Sequence, residues 1–269
     1  MMNEFSVLIS VYKNDRAEHL DEALSSIFHQ TLRARQVVMM VDGPIGSDLD
    51  KIIISYQKEY SELELFYEKQ NLGLPTMLNL GLSRCKYDLV VRCDADDINH
   101  NNRFEVLYNE IKESNYAVIG STVQEFNEFN DERRIRTVPE SYSDIKKMMK
   151  QRNPINHPSV IYSKSSVLAC GGYNENLKNG QDYELWARLS SNGYKLKNTS
   201  ECLLSFRVTP EMIKRRGGIK YISYDLIIAK KLRECSFLNV KEFYRFFIIR
   251  AISRILPHFL RVILYKHFR

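Results

Sequence analysis

Four stretches with the pattern of buried strands alternate with helical segments over the first hundred residues. The strands, rich in β-branched and aliphatic residues, are predicted over 5–12, 36–41, 63–67 and 89–91. Between them, apolar residues recur at the three- and four-residue steps of core-facing helices. This alternation predicts βαβ units with right-handed crossovers and a mostly parallel, Rossmann-like central sheet flanked by helices. The fold class is therefore α/β, with ligands expected at the rim where the strands end.

Three carboxylates, those of Asp94, Asp96 and Asp97, directly follow the fourth strand. Carboxylates this close repel one another unless a cation lies between them. Because Asp94 and Asp96 are two residues apart on an extended chain, their side chains can point the same way. Such an oxygen site suits Mg²⁺ or Mn²⁺, which usually also bind a substrate phosphate. The alternative is an acidic loop in which Asp97 caps a helix predicted over 103–114, and the short Asp-x-Asp pattern fits both.

The second half of the chain is predicted to be less regular. Residues 124–156 are rich in charged and amide side chains and are a candidate loop over the site. Strands are predicted over 116–123, 158–162 and 201–208.

Asp182 stands at the predicted start of a helix that ends at Gly193. An acid in the first helical turn interacts favourably with the macrodipole, and this reading is favoured by the residues alone. The functional alternative is a general base that points into a cleft. Trp186, four residues on and on the same face, is either a core anchor or a surface on which a sugar ring stacks.

Composition and processing signals narrow the class of protein. The chain is 44% hydrophobic and 27% charged, as in an ordinary globular protein with a sizeable core. Its five cysteines are scattered, so neither a disulfide framework nor a zinc site is predicted, and a reducing compartment is expected. The amino terminus lacks the features of a secretory signal, and no apolar run approaches the roughly 20 residues that cross a bilayer. A cytoplasmic location is expected.

The stretch 241–269 is basic and amphipathic, with seven lysines or arginines against the single acid Glu242. Aromatic and aliphatic residues are threaded through it, and Pro257 is predicted to break its helix. This pattern favours a segment lying on an anionic membrane surface. The alternative is a helix that covers the domain, with its basic residues merely solvated. Nucleic acid is not an expected partner, because buried-type aliphatic residues interrupt the charges and no recognised motif is present.

An ordered series of short motifs, none of them specific alone, points to one family. The series comprises residues 6–12, Val41-Asp42-Gly43-Pro44, Asn71-Leu72-Gly73, Asp94-Ala95-Asp96-Asp97, Gly171-Gly172-Tyr173 and Gln181-Asp182-Tyr183-Glu184-Leu185-Trp186. In this order and spacing it resembles the family 2 glycosyltransferases, inverting enzymes of the GT-A fold. Within them it is most similar to bacterial O-antigen and exopolysaccharide transferases of the amylovoran type. The resemblance covers residues 5 to about 210. It implies a catalytic domain over 1–218, followed by a helical region over 219–269.

The resemblance also implies roles for individual residues. Asp94 and Asp96 match the acids that hold the divalent cation, Mn²⁺ or Mg²⁺. Asp182 matches the catalytic base, so the resemblance favours the general base over an acid that only interacts with the helix macrodipole. The nucleotide-sugar-binding residues would be Val11, Tyr12, Asp42, Asn71, Arg92 and Asp94. An aspartate on the rim would accept from N3–H of uracil. The candidates on the acceptor side are His157, Glu184, Trp186 and Arg207.

Three positions depart from the family pattern. Gln181 stands where a glutamate is common, Leu78 where many relatives have arginine, and Thr209 where many have histidine. Nearby cations, Arg207 and the run Lys214-Arg215-Arg216, are candidates for the missing phosphate contacts.

The expected activity is transfer of one hexose from a UDP-sugar, glucose before galactose, with inversion to a β-linkage. The signature of processive synthases, Gln-x-x-Arg-Trp, is missing, which favours single addition. The acceptor would be an undecaprenyl-diphosphate-linked GlcNAc at the inner face of the plasma membrane. A nucleotidyltransferase is a weaker alternative, since it usually has a glycine-rich loop and lysine after the first strand. A catalytically silent sugar- or lipid-binding relative is a second alternative.

Overall fold

A computed structural model describes residues 4–127, 132–209 and 218–256. Helices flank one nine-stranded sheet. The strands are β1 Phe5–Tyr12, β2 Gln36–Asp42, β3 Leu63–Tyr67, β4 Leu89–Cys93, β5 Ile98–Asn99, β6 Tyr116–Asn127, β7 Glu132–Arg136, β8 Ile161–Ser163 and β9 Lys195–Arg207. The helices are α1 Ala17–Phe28, α2 Ser47–Glu59, α3 Leu74–Arg84, α4 Arg103–Lys112, α5 Tyr142–Met149, α6 Lys164–Ala169, α7 Gln181–Ser191, α8 Ile219–Glu234 and α9 Val240–Ile255.

The sheet has the order β3-β2-β1-β4-β8-β6-β9-β5, with β7 paired to β6. β1, β2, β3 and β4 are parallel, as the alternation predicts. Beyond β4 the sheet is mixed, because β8 runs antiparallel to both β4 and β6 while β6 and β9 are parallel. The predicted α/β class is confirmed, and its parallel half carries the carboxyl-terminal rim at which Tyr12, Asp42 and the acid cluster lie.

The sheet is buried on both faces. Along β1, Leu8 packs into one core while Val7 and Ile9 pack into the other, since successive side chains of a strand point to opposite faces. All three side chains are fully buried, which explains why the strands read as continuous apolar runs and not as alternating ones.

The irregular region predicted over 124–156 is more ordered than expected. β6 continues to Asn127, and β7 and α5 lie within this region. The strand predicted over 158–162 is displaced, because His157–Ser159 forms a 3₁₀ turn and the strand begins only at Ile161. Pro158 within that turn lacks a backbone N–H to donate to a sheet ladder.

The alternative interpretation of Asp97 as a helix cap is wrong, because Asn102 occupies the cap position of α4.

The helices α8 and α9 pack against the rest of the chain. Ile228, Leu232 and Phe246 belong to the core that also contains Tyr183 and Trp186 of α7. Within the described residues, no helix has both the length and the apolar character needed to cross a membrane. The break predicted at Pro257, with all that follows it, lies outside the described residues.

Candidate active site

The three carboxylates after β4 form one cluster. Asp94, Asp96 and Asp97 each place an oxygen within 4.8 Å of the other two. Burial and the charge of Asp94 raise the pKa of Asp96 to about 6, and burial with the two neighbouring charges raises the pKa of Asp97. The buried Oδ2 atom of Asp97 has no hydrogen-bond partner among the described residues. A divalent cation would relieve this repulsion and fill the open oxygen, so the donor set fits Mg²⁺ or Mn²⁺.

Two arginines contact the cluster. The fully buried Arg92 forms an ion pair with Asp94. Its Nε and Nη1 atoms have no partner in the described part of the chain, which leaves N–H donors for a bound ligand. Arg207 donates from its backbone N to Asp97 Oδ1 at 2.8 Å and from Nε to the backbone oxygen of Asp96 at 2.9 Å.

Arg207 therefore contacts the acid cluster and does not line the cavity at Asp182, so of its two predicted roles the phosphate contact fits its position better than the acceptor side. Its guanidinium group also pairs with Glu22 of α1. These contacts fasten β9 and α1 to the loop that carries the cluster. The candidate phosphate contacts at Lys214, Arg215 and Arg216 lie outside the described residues.

A fourth acid, Asp15, lies beside the cluster and was missed by sequence reasoning. Its Oδ2 accepts from the backbone N of Tyr12 at 2.8 Å, which ties it to the end of β1. Burial, together with the charges of Asp96 and Asp94, raises the pKa of Asp15 to about 7. Its only signal in the sequence is its place directly after a strand that ends on the same rim.

Asp42 holds a loop in place. Its carboxylate is 4% exposed and accepts from Leu72 N at 2.6 Å, Gly73 N at 3.0 Å and Asn71 Nδ2 at 2.8 Å. This close approach depends on Gly43, whose φ is +81° and where an added Cβ would lie 2.7 Å from Asn71 N. As it stands, the carboxylate is enclosed and not open on the rim for a nucleobase, so the structure gives Asp42 a positioning role.

The other residues predicted to bind nucleotide differ in exposure. Tyr12 and Asn71 are exposed on the rim and available to a ligand. The side chain of Val11 is fully buried in the core, so only its backbone can contribute.

Asp182 lies in the first turn of α7, at a cavity of about 540 Å³. Its Oδ2 accepts from Asn153 Nδ2 at 2.6 Å, and burial raises its pKa. A raised pKa makes a carboxylate a stronger base, which suits removal of a proton from a hydroxyl group. Asn153 is a second residue that sequence reasoning missed, since no pattern pairs it with Asp182 across 29 positions.

The remaining acceptor-side candidates differ in where they lie. His157 lines the cavity and shares a hydrogen bond of 2.9 Å with the hydroxyl group of Tyr173, and burial with the charge of Arg92 lowers its pKa. Trp186 is fully buried with its ring 5.9 Å from that of His157, so it is a core anchor and cannot stack on a sugar. Glu184 is also buried, in an ion pair of 2.8 Å with Arg188, and does not line the cavity.

A parallel rim with a carboxylate cluster, together with a cavity lined by the partly exposed Asp182, fits the fold of a GT-A transferase. A family model described as Glycosyl transferase family 2 matches residues 6–169. The chain belongs to this family.

Three known proteins illustrate the similarity. The Escherichia coli UDP-Gal:alpha-D-GlcNAc-diphosphoundecaprenol beta-1,3-galactosyltransferase is 37% identical, over 98% of this chain and 95% of its own length. The Erwinia amylovora amylovoran biosynthesis glycosyltransferase AmsE is 33% identical, over 94% of both chains. The fold matches that of S. aureus TarS in complex with UDP-GlcNAc, with a TM-score of 0.68 and 16% identity over 93% of this chain and 72% of the other.

Proposed function

We propose that the protein is a metal-dependent, inverting hexosyltransferase that acts on a lipid-diphosphate-linked GlcNAc. The observation that carries the proposal is the combination of an acid cluster with a partly exposed carboxylate, Asp182, that lines a separate cavity. The name of the E. coli relative supplies the acceptor and favours UDP-galactose as donor over the UDP-glucose expected from sequence. The products would be O-antigen or exopolysaccharide precursors.

Asp94 and Asp96, joined by Asp97, would hold Mn²⁺ or Mg²⁺. When bound, the ion neutralises charge that develops on the departing nucleoside diphosphate. The fully buried Arg92 pairs with Asp94 and would hold its carboxylate in position for the ion. Tyr12 and Asn71 would contact the nucleotide from the rim, while Asp42 keeps the loop of Asn71 in place.

Asp182 takes the proton from the acceptor hydroxyl group as the oxygen attacks the anomeric carbon. One bond forms between that oxygen and the carbon, and the bond from the carbon to the diphosphate breaks on the opposite face. A single displacement inverts the configuration, so an α-linked sugar nucleotide gives a β-linkage. Asn153 orients the carboxylate, and His157, kept neutral by its lowered pKa, adds no positive charge to the lining of the cavity.

The exposed face of α9 supports association with an anionic membrane on its cytoplasmic side. Large apolar residues there are each more than half exposed, namely Tyr244, Ile248, Ile249, Ile252 and Ile255. The basic Lys241 and Arg245 are also exposed, so apolar and cationic groups are available together.

Membrane association is tested by sedimentation with vesicles of phosphatidylcholine alone or with phosphatidylglycerol. We expect Ile248→Ser/Ile252→Ser to lose binding to the anionic vesicles. A deletion of the segment would be a poorer test, because Phe246 is part of the core. Binding that is unchanged in the double variant would contradict this part of the proposal.

The reaction is tested by UDP release from a panel of UDP-sugars with Mn²⁺ and a synthetic GlcNAc-diphosphate-lipid acceptor. Wild type is compared with Asp182→Asn and Asp96→Asn, which keep side-chain size and remove one charge each. We expect turnover with one donor and its loss in both variants. Turnover that persists in Asp182→Asn would refute the assignment of the base, and turnover that persists in EDTA would refute the metal dependence.

A further inference from the structure

The cavity at Asp182 has a second wall, built by the carboxyl-terminal helices α8 and α9. Gly180, which precedes α7, has φ +72°, and a Cβ there would lie 2.8 Å from Cδ1 of Ile228 on α8. The ring of Phe246 on α9 lies 6.0 Å from that of Tyr183, the residue after Asp182. The two helices thus reach the turn that carries the base.

Two arginines of α9 are fixed within this wall. Arg250 Nε donates to Asp225 Oδ1 at 2.7 Å, and Arg254 Nε donates to Asp225 Oδ2 at 2.8 Å. Both guanidinium groups also face aromatic rings, Arg250 at 5.1 Å from the centroid of Phe246 and Arg254 at 5.3 Å from that of Tyr221. Asp225 itself is buried. An arrangement held from several sides is preorganised, so little side-chain entropy is lost when a ligand binds.

Among the described residues that line the cavity, arginines outnumber carboxylates. Arg136 and Arg152 line it together with Arg250 and Arg254, against the carboxylates of Asp182 and Asp225. The carboxylate of Asp225 offers about four acceptor positions and already accepts from Arg254, whereas the guanidinium group of Arg250 carries about five N–H donors, so Asp225 cannot use all the donors of Arg250. Planar guanidinium groups bind phosphate oxygens in pairs. The volume of about 540 Å³ is that of a site for a small ligand.

We propose that this cavity binds the diphosphate of the acceptor, with Arg250 and Arg152 as the contacting cations and Asp225 as the residue that positions Arg250. The inference rests on the proposed function, which places the acceptor sugar at Asp182. The diphosphate is joined to that sugar and must therefore lie near the same base. In this arrangement α8 and α9 are a wall of the active site and not only an attachment to the membrane.

The experiment measures binding by isothermal titration calorimetry with two soluble probes, in EDTA so that no metal at the acid cluster bridges to phosphate. One probe is GlcNAc-α-diphosphate on a short alkyl chain, and the other is the matching GlcNAc glycoside without phosphate. We expect Arg250→Gln and Arg152→Gln each to weaken binding of the diphosphate probe about tenfold or more, since each removes charge-assisted hydrogen bonds. Binding of the glycoside should not change.

Arg152→Gln is the variant that should fold normally, because Arg152 is exposed and its replacement leaves the contacts of Asp225 with Arg250 and Arg254 intact. The matched control is Arg233→Gln, the same change at an exposed arginine of α8 that does not line the cavity. Diphosphate binding as tight in Arg250→Gln and Arg152→Gln as in wild type would overturn the proposal. An equal loss in Arg233→Gln would also do so, because it would indicate a general charge effect.

Transfer assays separate this inference from the proposed function. If wild type transfers no sugar but the diphosphate probe binds with the expected pattern, the proposed reaction fails and the cavity assignment stands. If sugar is transferred with an acceptor KM that Arg250→Gln and Arg152→Gln leave unchanged, the reaction stands and the assignment fails.

Discussion

Replacing Asn153 should raise the pKa of Asp182, the proposed catalytic base, by an amount that the structure allows us to estimate. Asn153 Nδ2 donates to Asp182 Oδ2 at 2.6 Å, and this hydrogen bond favours the charged carboxylate. A hydrogen bond to a charged group contributes about 1.5–3 kcal/mol, and about 1.4 kcal/mol corresponds to one pKa unit. Because the carboxylate is partly exposed, we take the lower end and expect Asn153→Ala to raise the pKa by about one unit.

The direction in which activity changes with pH follows from the proposed role of Asp182 as the base. Only the deprotonated carboxylate accepts a proton, so activity falls as pH drops through its pKa. A higher pKa moves the acid limb of kcat/KM to higher pH by about one unit and lowers the rate on that limb about tenfold. At a pH well above the pKa of Asp182 in both wild type and Asn153→Ala, the rates of the two proteins should converge.

The assay is the pH dependence of UDP release at saturating Mn²⁺, which keeps the acid cluster deprotonated although the pKa of Asp96 is raised to about 6. Asn192→Ala, at the opposite end of α7, is the matched control and should leave the acid limb in place. Asn153 Oδ1 also accepts from Ile155 N at 3.2 Å, so the Tm of each variant is measured as a check on folding. An acid limb that stays in place or moves to lower pH in Asn153→Ala would refute this role for Asp182.

Three further outcomes are expected. Asp96→Asn should weaken Mn²⁺ activation at least about tenfold, since it removes one of the clustered carboxylates, and an unchanged Mn²⁺ titration would place the ion elsewhere. Gly180→Ala should lower the free energy of unfolding by about 1–3 kcal/mol, measured in urea, because φ is +72° and Ile228 occupies the space of the new methyl group. Glu184→Gln should cost about 3–5 kcal/mol through its buried pair with Arg188, while the acceptor KM stays near that of wild type. A large change in the acceptor KM without loss of stability would contradict this and support the predicted acceptor-side role of Glu184.

The parallel half of the fold could be predicted because its signals are local. Each of β1, β2, β3 and β4 is an apolar run with a helix beside it in sequence, and parallel strands place their ends on one rim. The proximity of Asp94, Asp96 and Asp97 needs only the turn after β4. The mixed half depends on pairings between distant segments, such as β6 with β9, which no local pattern specifies.

The two residues that sequence reasoning missed, Asp15 and Asn153, are set by long-range contacts, and so is the position of Arg207. Asp15 and Arg207 reach the cluster from different ends of the chain, and Asn153 reaches Asp182 from a loop. The same limit applies to the region after residue 218. Its basic amphipathic pattern is visible in the sequence, but the burial of Asp225 between Arg250 and Arg254 follows only from the packing of α8 against α9.

The contrast between Asp182 and Trp186 shows where face assignments on a helix fail. Residues four apart share a face of a helix, so both could be expected to line the same cleft. α7, however, enters the core after its first turn. Asp182 remains partly exposed at the cavity while Trp186 is fully buried. Periodicity gives the direction of a side chain around the helix axis but not the depth of each turn, which depends on what packs around the helix. A site residue near the end of a helix therefore does not indicate that the residue one turn further along the helix also lines the site.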